Sequence, residues 1–383
     1  MLKLLIKMIK KKVHYLSFVL CSFFYSLGGN YQKAIFYLEE LTKKEKVTSK
    51  VWWKLGTFLG VEGKWEEARK AFLQALQSNK QNPQYLFWLG KAEENRGNIE
   101  AADKIYDKVL QYKGNYVQVF AAKGDLLMKQ ENFKEALPYY YKTIQLGSSN
   151  AEIYNNLGLC QMRLNHLELA ESFLKKAFAL RSKDPIIVYN YGMLMLKKGC
   201  YERAIEIMSK LIIQERVEVF TFLGYCYSLL GRHVESLVFY KKALQVAPHY
   251  QDNLVNLACT YAQIGEKEKA LTILRKLLRV NPYDANLLNN IAWVYESLKN
   301  YEAAEKNYYR GLALAPQNPS LIYNLICCLT KQRKYCEAME IIILLKKIPE
   351  WSSRAWAVLA HIYEKMGEKN LAVDCYNKAF GLN

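Results

Sequence analysis

Small apolar residues recur along the chain with a period of 34 residues. Ten alanines are spaced 34 residues apart in a run of six and a run of four, and Ser236 stands in phase in the gap between the runs. The alanines are Ala34, Ala68, Ala102, Ala136, Ala170, Ala204, Ala270, Ala304, Ala338 and Ala372. The period therefore spans the chain with one two-residue deletion, and the repeats begin at residues 15, 49, 83, 117, 151, 185, 217, 251, 285, 319 and 353. A period of this length is typical of stacked helical repeats.

Each repeat contains two apolar stripes at helical spacing. Counted from the first residue of a repeat, position 8 is small in ten of eleven copies and position 20 is alanine or serine in all eleven. Positions 4 and 24 are large and apolar, and the spacing predicts two amphipathic helices, A and B. Position 15 is glycine in seven repeats and asparagine at Asn165, and both residue types accept the left-handed conformation that ends a helix. Each repeat is therefore predicted to be helix A, a tight turn, helix B and a short loop.

A few residues depart from this pattern. Ile326 is bulky at position 8, Lys123 is charged at the usually apolar position 7, and Pro138 falls inside the predicted helix B of the fourth repeat. We expect these residues to disturb packing locally, and Pro138 to bend its helix. The deletion lies near Ile212–Arg216 and is expected to shorten a loop between repeats. Neutral change in a surface loop and an altered superhelical twist are both open as its consequence.

The repeat resembles the tetratricopeptide repeat (TPR), and the resemblance covers residues 15–383. It is carried by residues such as Trp52, Leu55, Gly56, Ala68, Phe72 and Ala75 in one copy, and Tyr295, Ala304, Tyr308 and Pro316 in another. The resemblance implies an all-α fold, a right-handed α-solenoid of about eleven helix-turn-helix repeats whose A helices line a concave groove. It also implies a protein without catalytic activity of its own that holds peptides, helices or partner domains.

By the same resemblance, positions 2, 5, 6, 9, 12 and 13 of helix A face the groove. Position 6 is asparagine in five of the six repeats from the fifth to the tenth, with Phe222 as the interruption. These residues are Asn156, Asn190, Asn256, Asn290 and Asn324. A side-chain amide both donates and accepts, so a file of them could pair with the backbone of an extended peptide. The file resembles the asparagine ladder in the TPR part of O-linked N-acetylglucosamine transferases, whose catalytic part is absent here. The alternative is that asparagine is simply frequent at this position in the family.

Further aromatic and polar side chains accompany this file on helix A. They are Tyr189, Tyr225, Asn289, Trp293 and Tyr323. Rigid aromatic side chains are favoured at binding surfaces because they lose little entropy on contact. Ordinary packing between neighbouring A helices is the alternative explanation. The partner predicted from these residues is a protein or an extended peptide.

The charge of the chain suggests a second class of partner. There are 54 basic and 36 acidic residues, and the net charge of +18 is diffuse outside residues 1–14. A positive excess favours acidic partners such as nucleic acid, anionic membranes or acidic proteins. Because the charge is diffuse, it favours nucleic acid only modestly, so nucleic acid stays an unlikely partner and an RNA-binding helical-repeat protein is the alternative function. A self-associating structural protein is a further alternative. We expect the last repeat to lack a polar cap and to expose apolar surface around Leu371, Tyr376 and Phe380.

Residues 1–14 form a basic amphipathic segment with five lysines and no acid. Three interpretations are open: a helix that caps the first repeat, a segment that contacts an anionic membrane, and the start of a targeting signal. No run of 18 or more apolar residues predicts a transmembrane helix. We expect a cytoplasmic protein, with membrane association through this segment as the alternative.

The sequence contains no recognisable catalytic or metal-binding motif. Its nine cysteines form no C-x-x-C pair, its five histidines are scattered, and no H-E-x-x-H, phosphate loop or nucleophile elbow is present. The cysteines are therefore interpreted as small apolar residues in a reduced compartment. The prediction is a non-catalytic interaction scaffold with no cofactor and no metal.

Overall fold

The computed structural model describes residues 2–44, 47–148 and 150–382, with the side chains of residues 2–14 and 44 not included. These residues form 22 α-helices in tandem, with two short 3-10 helices and no strand among the described residues. The predicted all-α fold of stacked helical repeats is confirmed. The chain divides into two compact units, which meet in sequence at Leu194 and Met195.

Unit 1 comprises the first ten helices and most of the eleventh. They are α1 (Leu2–Leu27), α2 (Tyr31–Lys44), α3 (Ser49–Val61), α4 (Trp65–Ser78), α5 (Pro83–Asn95), α6 (Ile99–Tyr112), α7 (Val117–Lys129), α8 (Phe133–Gln145), α9 (Ala151–Arg163), α10 (Leu167–Leu180) and α11 (Pro185–Lys197). The unit boundary falls inside α11.

Unit 2 continues the alternation of A and B helices, which are odd-numbered and even-numbered respectively. Its helices are α12 (Tyr201–Met208), α13 (Val217–Leu229), α14 (His233–Val246), α15 (Gln251–Gln263), α16 (Lys267–Val280), α17 (Ala285–Ser297), α18 (Tyr301–Leu314), α19 (Pro319–Lys331), α20 (Tyr335–Lys346), α21 (Ser352–Met366) and α22 (Lys369–Phe380). The 3-10 helices are Ser209–Gln214 and Pro349–Trp351.

Helices A and B of one repeat meet where a small residue faces a large one. Tyr106 at position 24 is fully buried, and a Cβ placed on Gly90 at position 8 would lie 2.5 Å from Cε1 of its ring. Gly56 and Phe72 show the same close approach. The small residue at position 8 thus makes room for the largest core side chain, which explains the pairing of small and large positions in the repeat.

Every turn between helices A and B uses a left-handed residue at position 15. All eleven residues at this position have φ between 60° and 91°. Seven are glycine and one is Asn165, as the sequence pattern suggests, and the other three are Glu131, Lys299 and Arg333. A non-glycine side chain in this conformation costs about 1 kcal/mol, so the fold imposes the turn even where the residue disfavours it.

The departures from the repeat pattern are accommodated by compensating residues. Lys123 is buried, but its Nζ lies 2.9 Å from Asp103 and 2.5 Å from Asp107. Ile326 is fully buried opposite the aliphatic Ile342, which occupies the position that holds an aromatic ring in many other repeats. Both side chains are therefore accommodated in the core, and the expected disturbance of packing in their repeats stays a prediction. Pro138 lies inside α8, which is continuous through it.

The two-residue deletion shortens the connection after the second helix of the sixth repeat. Glu215 and Arg216 alone join Gln214 to α13, whereas the four residues 181–184 join α10 to α11. The preceding segment ends as a 3-10 helix, and Glu215 adopts a left-handed backbone with φ of 46°. The 3-10 helix and the left-handed conformation of Glu215 together allow two residues to connect the helices.

The side chains of residues 1–14 lie outside the described residues, so the three interpretations of this segment stay predictions. The backbone of residues 2–14 belongs to α1, which continues without a break into the first repeat. Among the helices searched in the described part of the chain, none is long and apolar enough to cross a membrane.

Two of the three apolar residues expected to be exposed near residue 380 are exposed. Leu371 and Phe380 are 45% and 72% exposed, whereas Tyr376 is partly buried because it packs against a core cluster of unit 2. Self-association through this surface stays a prediction.

Candidate functional site

The A helices form a continuous face within each unit. In unit 2, α13 contacts α15, α15 contacts α17, and α17 contacts α19, in addition to the contacts each makes with its B helices. The same is true of α3, α5, α7 and α9 in unit 1. Equivalent positions of successive A helices therefore lie beside one another, and we call this surface the A-helix face of each unit.

The predicted asparagines of unit 1 take part in hydrogen bonds between neighbouring repeats. Asn190 Nδ2 donates to Asn155 Oδ1 at 2.9 Å, and Asn156 Nδ2 donates to Asp125 Oδ1 at 3.0 Å. Asn155 Nδ2 in turn donates to Asn156 Oδ1 at 3.2 Å. These side chains join three successive A helices, and this bonding occupies part of their capacity for a ligand.

The asparagines of unit 2 fall into two groups. Asn324 Nδ2 donates to Asn289 Oδ1 at 2.9 Å, which repeats the Asn190–Asn155 geometry with the same 35-residue separation. Asn256 and Asn290 are half-buried, and no described residue hydrogen-bonds to their side-chain amides. Adjacent A helices thus present two amides whose donors and acceptors are available to a ligand.

The predicted aromatic residues differ in exposure. Tyr225 is 44% exposed on α13. Trp293 is half-buried and packs against a core cluster, and Tyr323 is half-buried with its ring centroid 6.1 Å from that of Trp351. Tyr189 is half-buried on α11 in unit 1. Tyr225 is therefore the most accessible of these rings.

A buried carboxylate lies on the A-helix face of unit 1. The side chain of Glu94 is 3% exposed and accepts hydrogen bonds from Lys129 Nζ at 2.6 Å, Tyr106 OH at 2.8 Å and Lys91 Nζ at 3.0 Å. Burial alone would raise the pKa of Glu94, but the hydrogen bonds from the lysines and the tyrosine outweigh it and hold this pKa below its usual value. Glu94 therefore stays ionised and joins the third repeat to the fourth.

The pKa of the neighbouring carboxyl group, Asp125, is shifted in the opposite direction from that of Glu94. Asp125 accepts hydrogen bonds from Tyr140 OH at 2.7 Å and from Asn156 Nδ2. Burial raises the pKa of Asp125, and these neutral donors only partly offset the effect. A cavity of about 400 Å³ is lined by both carboxylates together with Met128, Lys129 and Asn156.

The carboxylate arrangement of Glu94 recurs in unit 2. Glu296 accepts a hydrogen bond from Tyr308 OH at 2.9 Å and forms an ion pair with Lys331 Nζ at 2.5 Å. Each residue occupies the same repeat position as its counterpart in unit 1: position 12 for the glutamate, 24 for the tyrosine and 13 of the next repeat for the lysine. The hydrogen bond that Lys331 Nζ donates to Glu296 raises the pKa of Lys331. This recurring triad ties neighbouring A helices together.

A cavity with a volume of about 850 Å³ lies on the A-helix face of unit 2. We call it the basic cavity. Its described lining residues are Tyr323, Cys327, Thr330, Lys331, Trp351, Arg354, Ala357, Val358, His361, Lys365 and Tyr376. Nine of these eleven belong to A-helix positions 2, 5, 6, 9, 12 and 13, the positions that the family resemblance assigns to the groove.

Of the predicted site residues, only Tyr323 lines the basic cavity. Lys331, Arg354 and Lys365 are not among the predicted residues, because the prediction rests on position 6 and its neighbouring aromatic and polar residues. Positions 2 and 13 of the last two repeats carry the missing signal, since all three of these residues are basic there. No described group of three or more His, Cys, Asp or Glu side chains is placed to hold a metal ion.

Two family models match the sequence. One, described as "Tetratricopeptide repeat", matches residues 59–115 and 121–185, and the other, described as "Psidin, N-terminal TPR repeats region", matches residues 230–375. A search of curated protein sequences finds no match.

Solved structures resemble the chain over different lengths. Yeast Tom70 matches with 13% identity over 97% of this chain and 93% of that chain, with a TM-score of 0.54. YrrB, whose title describes a TPR protein with an unusual peptide-binding site, has 22% identity over 49% of this chain and 97% of that chain, with a TM-score of 0.44. A tetratricopeptide repeat protein from Parabacteroides merdae ATCC 43184 has 17% identity over 64% of this chain and 98% of that chain, with a TM-score of 0.49. The similarity to Tom70 shows a shared fold.

Proposed function

This chain belongs to the tetratricopeptide repeat superfamily, and we propose that it is a non-catalytic interaction scaffold that binds a peptide or partner protein on its A-helix face. The repeats present this face as adjacent, equivalent helices, which suits an extended ligand that crosses several of them. The side chains at the face are polar amides, aromatic rings and charged groups, the types that recognise peptides.

The observation that carries the proposal is the pair Asn256 and Asn290 on adjacent A helices. Both amides lack a hydrogen-bond partner among the described residues, and both are half-buried rather than fully hydrated. A peptide unit supplies one donor and one acceptor, and so does each amide. Trp293 and Tyr225, three residues beyond the corresponding position 6 in their own repeats, supply apolar contact area beside them.

The test begins with a random-peptide phage library selected on the purified full chain. A selected peptide is labelled with fluorescein, and its affinity is measured for the parent and for Asn256→Ala/Asn290→Ala. Because each hydrogen bond contributes about 0.5–1.5 kcal/mol, we expect the double variant to bind roughly tenfold more weakly. Its urea midpoint should stay unchanged, because these amides bond to no other described residue.

The matched control is Asn190→Ala/Asn324→Ala, which removes the same number of amides. These two asparagines already donate to Asn155 and Asn289, so the control should lower the urea midpoint more than the test variant does. Equal peptide affinity in the parent and in Asn256→Ala/Asn290→Ala would contradict the proposal. So would a library that enriches no sequence.

A further inference from the structure

The charged side chains of the basic cavity all have the same sign. Lys331, Arg354 and Lys365 line it together with the imidazole of His361, and none of its described lining residues is an aspartate or a glutamate. Lys331 is paired with Glu296, and His361 Nδ1 lies 3.3 Å from Glu364. Arg354 and Lys365 have no described carboxylate within ion-pair distance.

The same cavity has an aromatic wall. The Arg354 guanidinium lies 4.9 Å from the centroid of the Trp351 ring, and Trp351 packs against Tyr323. Tyr376 and Val358 complete the less polar part of the lining. A ligand that fills the volume of about 850 Å³ therefore meets cations and aromatic rings together.

We propose that the basic cavity binds an extended, glutamate- and aspartate-rich segment of a partner protein that carries an aromatic or aliphatic side chain. The inference rests on the proposed function and names the chemistry of the partner. Carboxylates complement the unpaired Arg354 and Lys365, and the apolar side chain lies against Trp351 and Tyr323.

A second cavity extends the basic surface. It has a volume of about 590 Å³ and shares Thr330, Lys331 and Lys365 with the first. Arg333 and Tyr335 also line it, so another cation and another aromatic ring follow in sequence. An extended segment with acidic residues at intervals can cross both cavities, because the shared residues make them continuous.

The neighbouring part of the face favours a peptide over a nucleic acid. In the ninth repeat the A-helix positions carry Asn289, Asn290, Trp293 and Glu296, which are neutral or acidic. The cationic surface therefore ends at Lys331 along this direction. A nucleic-acid strand needs a basic groove that follows its backbone, whereas two or three carboxylates need only this local cluster.

The test uses a fluorescein-labelled synthetic peptide in which glutamates flank a single phenylalanine, and an analogue with every glutamate replaced by glutamine. Affinity is measured by anisotropy for the full chain and for Arg354→Gln/Lys365→Gln. We expect the variant to bind the acidic peptide at least about tenfold more weakly, because two charge-assisted contacts are lost. The glutamine analogue should bind weakly to both proteins.

The matched control is Lys306→Gln/Arg310→Gln on α18, which removes the same charge from exposed positions outside the cavity. This variant should bind the acidic peptide like the parent, and circular dichroism should show all three proteins equally helical. Equal affinity in the parent and in Arg354→Gln/Lys365→Gln would overturn the inference, as would an equal loss in the control. Displacement of the peptide by a single-stranded oligo(U) RNA of higher affinity would also overturn it.

The two proposals fail separately. If a library-selected peptide depends on Asn256 and Asn290 while the acidic peptide is indifferent to Arg354→Gln/Lys365→Gln, the inference is overturned and the proposed function stays in place. A selected peptide that is indifferent to both double variants overturns both.

Discussion

Replacement of Glu94 tests whether the buried carboxylate triads hold successive repeats together. Glu94→Ala leaves the hydroxyl of the fully buried Tyr106 without its acceptor and removes the partner of Lys129. An unsatisfied buried hydroxyl costs about 1–3 kcal/mol, and the loss of one partner of a buried ion pair about 3–5 kcal/mol. Because Lys129 is about half exposed and regains hydration, we expect a loss near the lower end, about 3 kcal/mol.

The conservative variant separates the hydrogen bond from the charge. Glu94→Gln keeps an oxygen that can accept from Tyr106 but removes the charge that Lys91 and Lys129 share. Its loss of stability should therefore be smaller, about 1–2 kcal/mol. Urea unfolding followed by circular dichroism gives the midpoints, and amide hydrogen exchange in α5 and α7 shows whether the loss is local to this pair of repeats.

The difference in stability between the parent and Glu94→Gln should depend on pH in a definite direction. The pKa of Glu94 is lowered in the folded protein, so its carboxylate contributes stability above the unfolded value of about 4.3. That contribution is lost as the pH falls through the folded pKa. The gap between the parent and Glu94→Gln should therefore be full at pH 7 and should close below about pH 4.

The matched control is Glu340→Ala, which truncates an exposed glutamate inside α20. It should change stability by no more than about 0.5 kcal/mol. A urea midpoint for Glu94→Ala as high as that of Glu340→Ala would refute the reasoning. A parent-to-variant gap for Glu94→Gln that widens toward low pH would refute the electrostatic part of it.

Two further predictions concern the repeat itself. Lys299→Gly and Arg333→Gly should each stabilise the protein by about 0.5–1 kcal/mol, because glycine accepts the left-handed backbone without strain. Gly265→Ala should destabilise it by a similar amount. Thermal melts check both signs, and melting temperatures lowered by both glycine variants would contradict the turn geometry. Ala170→Trp should cost more than about 3 kcal/mol, because Ala170 is fully buried between two helices, and an unchanged melting temperature would contradict the repeat phase.

The sequence predicts the fold well because the same helical pattern is present in many copies, so a departure in one copy does not obscure it. Eleven in-phase copies define the helices even where one copy carries Ile326 or Lys123. The pattern at a single repeat position does not predict which residue compensates for a departure, because that residue lies elsewhere in the repeat or in a neighbouring repeat. Ile342, at a position that holds an aromatic ring in many other repeats, shares a core cluster with Ile326, and the carboxylates of Asp103 and Asp107 neutralise Lys123.

The candidate site is predicted less completely, for a physical reason. The repeat register places asparagines on the A-helix face, but the bonds of each amide depend on residues of the preceding repeat, at position 5 for Asn190 and Asn324 and at position 9 for Asn156. Asn190 and Asn324 bond to asparagines at position 5, whereas that position is Val255 in the repeat before Asn290 and Thr221 in the repeat before Asn256. The availability of an amide is therefore a property of two repeats together.

Photo-crosslinking can show whether a peptide binds the A-helix face of unit 2. Tyr225 on helix α13 and Tyr309 on helix α18 are similarly exposed, at 44% and 37%, and each can be replaced by the photoreactive p-benzoylphenylalanine. The library-selected peptide is irradiated with each full-chain variant, and the adducts are measured by mass spectrometry. We expect a peptide adduct at position 225 and none at position 309. An adduct at position 309 with none at position 225 would contradict it.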